Sequence, residues 1–416
     1  MKKRLVIVVL ALLLATGACA EEVLPQLTFS WWGGEDVTLA TQDVIKFFRR
    51  DNRSHNVQTL AYPERDAYLH EMERRAALHK MDDIMQLDVE MLRTYAMDED
   101  GQYRFADLEL FSDVLDLTQF PYLALESATI KGRLCAVPTG MTAHIFIWNR
   151  AALQRLNISL PESSSELLDI GLQMQESDTY PLAADAGGRL AFMITYLQSK
   201  YGASWFDPDS KEFGFTNAQI EDGFMYLQQM ENAHVWPPLS RQGDILAGWQ
   251  EGRYLGVWAW DVVATELDLL TPREDRLHYI AQLNDWGPYV GGFRKAQYYF
   301  AVAESSPYKP FGVTLIQFLL NSDRSARALT DLRGIPVSES GYTSAYASTM
   351  LDGVRLAANA AAMAWGGHIM PGSFEAPMLI EKGGVYEQVL LGLENEKLEP
   401  GSAAAALMSG MRIASE

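Results

Sequence analysis

The stretch Thr28-Phe29-Ser30-Trp31-Trp32-Gly33-Gly34-Glu35-Asp36 combines a strand, a glycine turn and the start of a helix. Leu27, Phe29 and Trp31 alternate along the chain, which predicts a strand with one buried face. The glycine pair permits a sharp turn, and the apolar spacing from Ala40 to Phe48 predicts a helix directly after it. Open α/β sheets bind ligands at the carboxyl ends of their strands, so this turn is a candidate binding site.

The side chains at this turn have the chemistry of a sugar site. An indole such as that of Trp32 packs against the apolar C–H face of a sugar ring. Glu35 and Asp36 are charged acceptors for hydroxyl hydrogen bonds, and Gly34 lets the backbone approach a ligand closely. The alternative is structural, because the indoles could be core and carboxylates are favoured at a helix N-terminus. The nine residues alone leave both interpretations open.

Length and composition indicate a globular protein of two lobes. The chain has 416 residues, 48% hydrophobic and 21% charged, and a single hydrophobic core rarely grows to this size. The net charge of −20 argues against nucleic acid and anionic lipid headgroups as partners.

The N-terminus carries an export signal. Lys2-Lys3-Arg4 is followed by an apolar run over residues 5–15, which is too short for a membrane span. Residues 1–18 resemble a lipoprotein signal peptide, with cleavage before Cys19 and a lipid on its sulfur. The alternative is cleavage after Ala18-Cys19-Ala20, which would release a soluble protein. Either process exports the chain, to the outer face of the membrane or to the periplasm.

The second cysteine is expected to be structural. If Cys19 is lipidated, Cys135 has no cysteine with which to pair in this chain. Cys135 lies in an apolar stretch, which favours a buried thiol over a nucleophile.

The next elements predict a parallel sheet. Residues 57–61 alternate as a strand, residues 64–79 have helical spacing, and residues 83–88 form a short apolar strand that ends in Asp88. Strands joined by helices favour parallel pairing with right-handed crossovers. Asp88 would then lie at the same sheet edge as the glycine turn, as a ligand contact, as the N-cap of a helix over 89–96, or as both.

Several stretches, in order, resemble the extracellular sugar-binding proteins of bacterial ABC importers, a family similar to maltose-binding protein. The matching stretches are 31–34, 82–88, 132–138, 146–150, 161–163, 248–261, 295–303, 310–321 and 333–337, the last similar to the family's R-G-x-P-V. The resemblance covers most of the mature chain and is weakest over 355–377. Glu35-Asp36 replaces the Arg-His of close relatives, so the resemblance does not identify the ligand.

The resemblance implies an α/β fold of two discontinuous lobes around a hinged cleft, the type II periplasmic-binding-protein fold. Lobe 1 would hold residues 23–140 and 296–330, and lobe 2 residues 141–295 and 331–416. The protein would be a monomer without enzymatic activity or a cofactor. It would close on a carbohydrate and deliver it to the permease subunits of an ABC transporter.

Further candidate site residues follow from this resemblance. The proposed stacking platforms are Trp32, Trp258 and Trp260, the proposed acceptors are Glu35, Asp36, Asp88 and Asp261, and Thr142, His144 and Tyr298 are further candidates. Core packing remains the alternative for Trp258 and Trp260, which share one face of a strand, and for His144. Alternation allows only one of Tyr298 and Tyr299 to face the ligand, and Arg333 is expected to support the hinge.

The acidic residues bear on the class of ligand. Four carboxylates with no lysine or arginine assigned to the cleft would disfavour a uronate and favour a neutral or amino sugar. Two other functions remain open, an exported glycoside hydrolase and a surface carbohydrate receptor that is not coupled to import. The histidines show no spacing typical of metal ligands.

Overall fold

The computed structural model describes residues 24–54, 56–207, 210, 212–275, 278–281, 283–289, 292–348, 353–365 and 367–415. The predicted signal peptide and Cys19 lie outside these residues. Within the described ranges, no helix combines the length and the apolar character that crossing a membrane requires.

The strands form two larger sheets and two small hairpins. In chain order they are β1 (Gln26–Trp32), β2 (Asn56–Tyr62), β3 (Ile84–Leu87), β4 (Thr129–Ile130), β5 (Arg133–Leu134), β6 (Val137–Pro138), β7 (Met141–Asn149), β8 (Tyr180–Ala183), β9 (Phe206–Asp207), β10 (Glu212–Phe213), β11 (Tyr254–Trp260), β12 (His278–Ala281), β13 (Arg294–Ala296) and β14 (Tyr299–Val302).

Helices cover both sheets. The α-helices are α1 (Glu35–Asp51), α2 (Arg65–Ala77), α3 (Val89–Tyr95), α4 (Tyr122–Ser127), α5 (Arg150–Arg155), α6 (Ser164–Gln173), α7 (Ala186–Tyr201), α8 (Asn217–Asn232), α9 (Leu239–Gln242), α10 (Ile245–Gln250), α11 (Ala264–Leu270), α12 (Lys309–Asn321), α13 (Asp323–Leu329), α14 (Glu339–Ala347), α15 (Gly353–Ala364), α16 (Pro377–Ile380), α17 (Val385–Glu394) and α18 (Pro400–Ala414). Single-turn 3-10 helices include Asp261–Val263 and Gly372–Glu375.

The first sheet has the strand order β2-β1-β3-β14-β6. The predicted parallel pairing of β1 with β2 and β3 is confirmed, whereas β14 runs antiparallel to β3. Helix α1 starts directly after the glycine turn, as predicted. Gly33 has a φ of 153°, and a Cβ there would lie 2.9 Å from the Val37 side chain, so this turn requires glycine.

The second sheet is built around β7. Its order is β12-β7-β11-β8, and β13 also pairs with β7. All nine residues of β7 are buried. Helix α15 packs on β7, so the strand has apolar side chains on both faces, which explains its continuous apolar sequence.

The chain crosses between the sheets at two adjacent places, from Pro138 to Met141 and from Ala296 to Tyr299. The strand predicted over 295–303 is therefore divided into β13 and β14. The two crossings are held together because Gln297 N donates to Gly140 O (2.8 Å) and Thr139 N donates to Tyr298 O (2.9 Å). A Cβ at Gly140 would lie 2.5 Å from Ile335 O, so a third segment packs tightly against them.

Arg333 supports this crossing region. The Thr139 hydroxyl donates to Arg333 O (2.7 Å), and Arg333 Nε donates to Gln86 Oε1 (2.7 Å). The guanidinium is buried, and burial lowers its pKa to about 10. These contacts join the third segment to the first sheet, while the full limits of the two proposed lobes stay a prediction.

Candidate functional site

A cavity of about 760 Å³ lies at the ends of strands β8 and β11. Its wall comes from His144 and from residues within 185–188, 239–245, 258–263 and 374–391. Half-buried Trp260 contributes an aromatic surface, and Asp185, Gln242 and Glu375 contribute polar groups. The volume and this mixture of groups are typical of a small-molecule site.

The turn after β8, like the one after β1, leads from a strand into a helix through an acid and a glycine pair, but here Asp185 precedes the glycines. Asp185 caps α7, because its carboxylate accepts a hydrogen bond from Gly188 N (2.6 Å). Trp258 Nε1 donates to Gly188 O (3.1 Å). The turn therefore packs directly on the tryptophan strand, and it places a carboxylate and a glycine-rich backbone in the cavity wall.

Aromatic rings form a stack along β7 and β11. The register pairs Trp258 with Phe146 and Trp260 with His144. The His144 ring lies 3.8 Å from Trp260 and 5.6 Å from Trp258, centroid to centroid, and is stacked on both. Trp258 is 1% exposed and His144 is 3% exposed, whereas Trp260 is half-buried. Trp258 is therefore largely a core residue that also borders the cavity.

A lysine lies on Trp260. Lys295 Nζ is 4.6 Å from the centroid of the indole, and the same ammonium is paired with both carboxylate oxygens of Glu375. Glu375 belongs to the 3-10 helix Gly372–Glu375, which packs against α3 of the first sheet. This ion pair therefore connects the crossing strand β13 with a segment that contacts α3, α16 and α18.

Asp261 is held entirely by internal donors. It is 1% exposed, and it accepts hydrogen bonds from the Thr142 hydroxyl, Ala143 N (3.2 Å) and Asn359 Nδ2 (2.7 Å). Burial raises its pKa, and these donors oppose that rise. The structure gives Thr142 and Asp261 a role in fixing α15 to β7, because the carboxylate that was predicted to accept from a sugar is already occupied.

The predicted residues of the first sheet lie outside this cavity. Trp32, 8% exposed, packs at 5.2 Å edge-on against Tyr298 and at 5.1 Å against Tyr68. Tyr298 is half-buried and Tyr299 fully buried, so Tyr298 is the one of the pair that is available at the surface. These aromatic rings form a second group, separated from Trp260 by the crossing.

The predicted carboxylates and glycine near α1 and α3 have different surroundings. Gly34, Glu35 and Asp36 are exposed at the start of α1. Asp88 caps α3 by accepting from Met91 N (2.8 Å), and it also accepts from Arg65 Nε (2.7 Å). Asp88 therefore has the N-cap role. Among the described residues that line the cavity, the predicted ones are His144, Trp258 and Trp260.

The expectation that no lysine or arginine lies at the site is wrong. Lys382 lines the cavity, and Lys295 lies on Trp260. No ligand role was assigned to either residue, although Tyr298, three residues after Lys295, was a candidate. Because ammonium groups lie beside the carboxylates of the cavity, its charges do not by themselves disfavour an anionic ligand.

The sequence contained a signal for part of what was missed. Residues 182–188 combine the end of an apolar strand with an acid and a glycine pair, the residue types found at 28–36 in a different order, and this composition indicates the Asp185 turn. Glu375 had no such signal, because it lies in the stretch 355–377, where the family resemblance was weakest.

The fold and this cavity define a solute-binding protein. The chain belongs to the bacterial extracellular solute-binding protein family, whose model matches residues 95–324. This confirms the family and the two-lobed fold class predicted from the sequence. No curated protein matches the sequence.

Solved structures show the same fold at low sequence identity. A periplasmic oligogalacturonide binding protein from Yersinia enterocolitica is 22% identical with a TM-score of 0.83, over 94% of this chain and 98% of that one. An ABC substrate-binding protein from Listeria monocytogenes in complex with cycloalternan is 13% identical with a TM-score of 0.66, over 93% and 98%. A de novo designed cysteine esterase is 23% identical with a TM-score of 0.85, over 94% and 98%.

The Asp261 network predicts a large stability effect. In Asp261→Ala the Thr142 hydroxyl, Ala143 N and Asn359 amide lose a buried acceptor, so we expect the free energy of unfolding to fall by about 3 kcal/mol. Denaturant unfolding measures this loss. As a control, Asp244→Ala removes an exposed N-cap carboxylate and should cost only about 1 kcal/mol. Equal losses in the two variants would contradict the role given to Asp261.

The burial of the His144 imidazole predicts a specific dependence of stability on pH. Burial, with a smaller effect from the Lys295 ammonium, lowers the His144 pKa to about 3, whereas an unfolded histidine has a pKa of about 6.5. Below that pH the unfolded chain binds a proton that the folded protein does not bind. Stability is therefore lost as the pH falls from 6.5 towards 3.

The variant His144→Gln should lack this loss. Between pH 7 and pH 4.5, the difference in unfolding free energy between wild type and variant should change by roughly 2 kcal/mol in favour of the variant. Denaturant unfolding at the two pH values measures it, with exposed His70→Gln as the control. A constant difference between wild type and His144→Gln would show that this imidazole titrates normally.

Proposed function

We propose that this protein captures a carbohydrate in the cavity bordered by Trp260 and delivers it to the permeases of an ABC transporter. The observation that carries the proposal is the combination of a partly exposed indole with hydrogen-bonding groups in one cavity of about 760 Å³. Sugars present apolar C–H faces and hydroxyls together, and this surface offers partners for both.

Membership of the solute-binding family supports transport. The relatives' descriptions, an oligogalacturonide binding protein and a substrate-binding protein with cycloalternan, support a carbohydrate ligand. The exported location expected from the N-terminus is compatible with this role. We further propose that Cys19 carries a lipid anchor and that the protein is a monomer.

Binding without chemistry is the simplest account of the site. Among the described residues, the free thiol of Cys135 is buried, and burial raises its pKa to about 11, so it is a poor nucleophile. Four carboxylates border the cavity. Asp185 accepts from Gly188 N, Glu375 is paired with Lys295 and Glu387 accepts from Gly383 N, whereas Glu381 is exposed. A glycosidase would instead need two carboxyl groups that flank the scissile bond.

Closure about the crossing strands would bring the two aromatic groups towards each other. Trp32 ends β1 of the first sheet, Tyr298 lies in the crossing directly before β14, and Trp260 ends β11 of the second sheet. A ligand stabilises the closed state only by its additional contacts there, so we propose that Trp32, Tyr298 and the exposed groups Glu35 and Asp36 contribute to binding after closure.

Thermal-shift screening of the protein without residues 1–18 against neutral, amino and acidic oligosaccharides tests the function. We expect at least one saccharide to raise the melting temperature, because ligands stabilise the state that they bind. Trp260→Ala should lower the affinity for that saccharide by roughly tenfold, as measured by calorimetry.

A matched control uses a different aromatic surface. Tyr122 is exposed and lines a separate groove of about 770 Å³, so Tyr122→Ala should leave the affinity unchanged. Chromatography of the recovered ligand should show it intact. Hydrolysed ligand would support the glycoside hydrolase. A loss of affinity in Tyr122→Ala but not in Trp260→Ala would show that the ligand binds in the other groove.

A further inference from the structure

The Trp260 indole has a neighbour on each face and stays partly exposed. Along β7, Phe146, His144 and Thr142 follow one another on one face, and they pair with Trp258, Trp260 and Lys295, respectively. The stack therefore runs in one direction from Trp258 through His144 and Trp260 to Lys295. His144 covers the near face of the indole, and the ammonium of Lys295 lies on the far face, 4.6 Å from the centroid.

The far face of Trp260 and the Glu375 carboxylate together form a site for an ammonium ion. An aromatic face attracts a cation through its quadrupole, and a carboxylate pairs with the same charge. The lysine side chain is mostly buried, at 20% exposed, and Glu375 is 27% exposed. In this structure the occupant is the protein's own lysine.

We propose that Lys295 determines specificity at the cavity: its ammonium occupies the Trp260–Glu375 site, so it excludes protonated amines from this part of the cavity and selects neutral saccharide groups. The inference rests on the proposed function and narrows it. A tethered ammonium acts at a high effective concentration, so a free amine has to compete with it, and the two positive charges repel each other.

A neutral group does not meet this repulsion. It binds beside the Lys295–Glu375 ion pair, where the ammonium donates to sugar hydroxyls and the carboxylate accepts from them. The ion pair also neutralises Glu375, which removes the attraction that an isolated carboxylate would exert on an amino sugar.

The same contact lies at a junction of several elements. Lys295 is in β13, at one crossing between the sheets, and Glu375 is in the 3-10 helix that packs on α3. A Cβ on Gly372 in that helix would lie 2.9 Å from the Arg93 side chain, so the helix follows the first sheet closely. The same helix also contacts α16 and α18, so the Lys295–Glu375 pair lies where these helices, α3 and the crossing strand β13 meet.

Calorimetric titration of matched ligands tests the proposal. The probes are a neutral saccharide from the panel that binds wild type and its counterpart with one hydroxyl replaced by an amine, both at pH 7. Wild type should bind the neutral form more tightly. In Lys295→Ala the vacated site should accept the amine, and the ratio of the two Kd values should change by about tenfold in favour of the amine.

Three variants locate the effect. Lys295→Arg keeps a cation on the ring and should keep the wild-type ratio. Lys46→Ala removes an exposed lysine of α1, away from the cavity, and should also keep it. Glu375→Gln added to Lys295→Ala removes the carboxylate half of the site and should abolish the gain in amine binding.

The outcomes are distinguishable. If a saccharide binds but the ratio in Lys295→Ala equals that of wild type, this inference is overturned and the proposed function stands. If wild type prefers the amine, the inference is overturned even where Lys295→Ala does not fold. If no saccharide of the panel binds wild type, the proposed function fails and the inference with it.

Discussion

The pairing of β7 on both of its edges is the constraint on which the site depends. One edge carries β11 and the other carries β12 and the crossing strand β13. Because the register is fixed along a fully buried strand, side chains from three strands meet on one face in a set order. A shift of one residue would turn His144 and Trp260 to the opposite face and separate Lys295 from the indole.

Two carboxylates around this face are held by donors from the protein. Asp261 is held by three donors from β7 and α15, and Glu375 is held by Lys295. Arg333 reaches the first sheet through Gln86, whose amide donates to Trp32 O (3.0 Å). The crossing region is thus connected by hydrogen bonds to Trp32 at the end of β1.

Much of the fold could be predicted from the sequence, because the signals were local. Alternation identified β1 and β2, helical spacing identified α1 and α2, and the glycine pair placed the turn between β1 and α1. Parallel pairing of β1, β2 and β3 followed from the crossovers. The break between β13 and β14 could not be predicted, since it depends on Gln297 bonding to Gly140, a contact distant in sequence.

The site was less predictable for the same reason. Trp260 and His144 could be predicted as site residues from their residue types and positions. Whether a carboxylate can accept a hydrogen bond from a ligand depends on neighbours that the sequence does not reveal. The sequence predicted Asp261 as a ligand acceptor, but Thr142 and Asn359 already donate to it. The sequence placed Lys295 in a strand, and only the strand register places it on the Trp260 indole. A side chain whose secondary structure is predicted correctly can still be hydrogen-bonded to a residue that is distant in the sequence.

The most direct test of the account is a crystal structure of the protein with the saccharide that gives the largest thermal shift. The account predicts ligand density in the cavity beside Trp260, within hydrogen-bonding distance of groups from the Asp185 turn or the Glu375 segment. Density in the separate groove lined by Tyr122 and Tyr342, with this cavity free of saccharide, would contradict it.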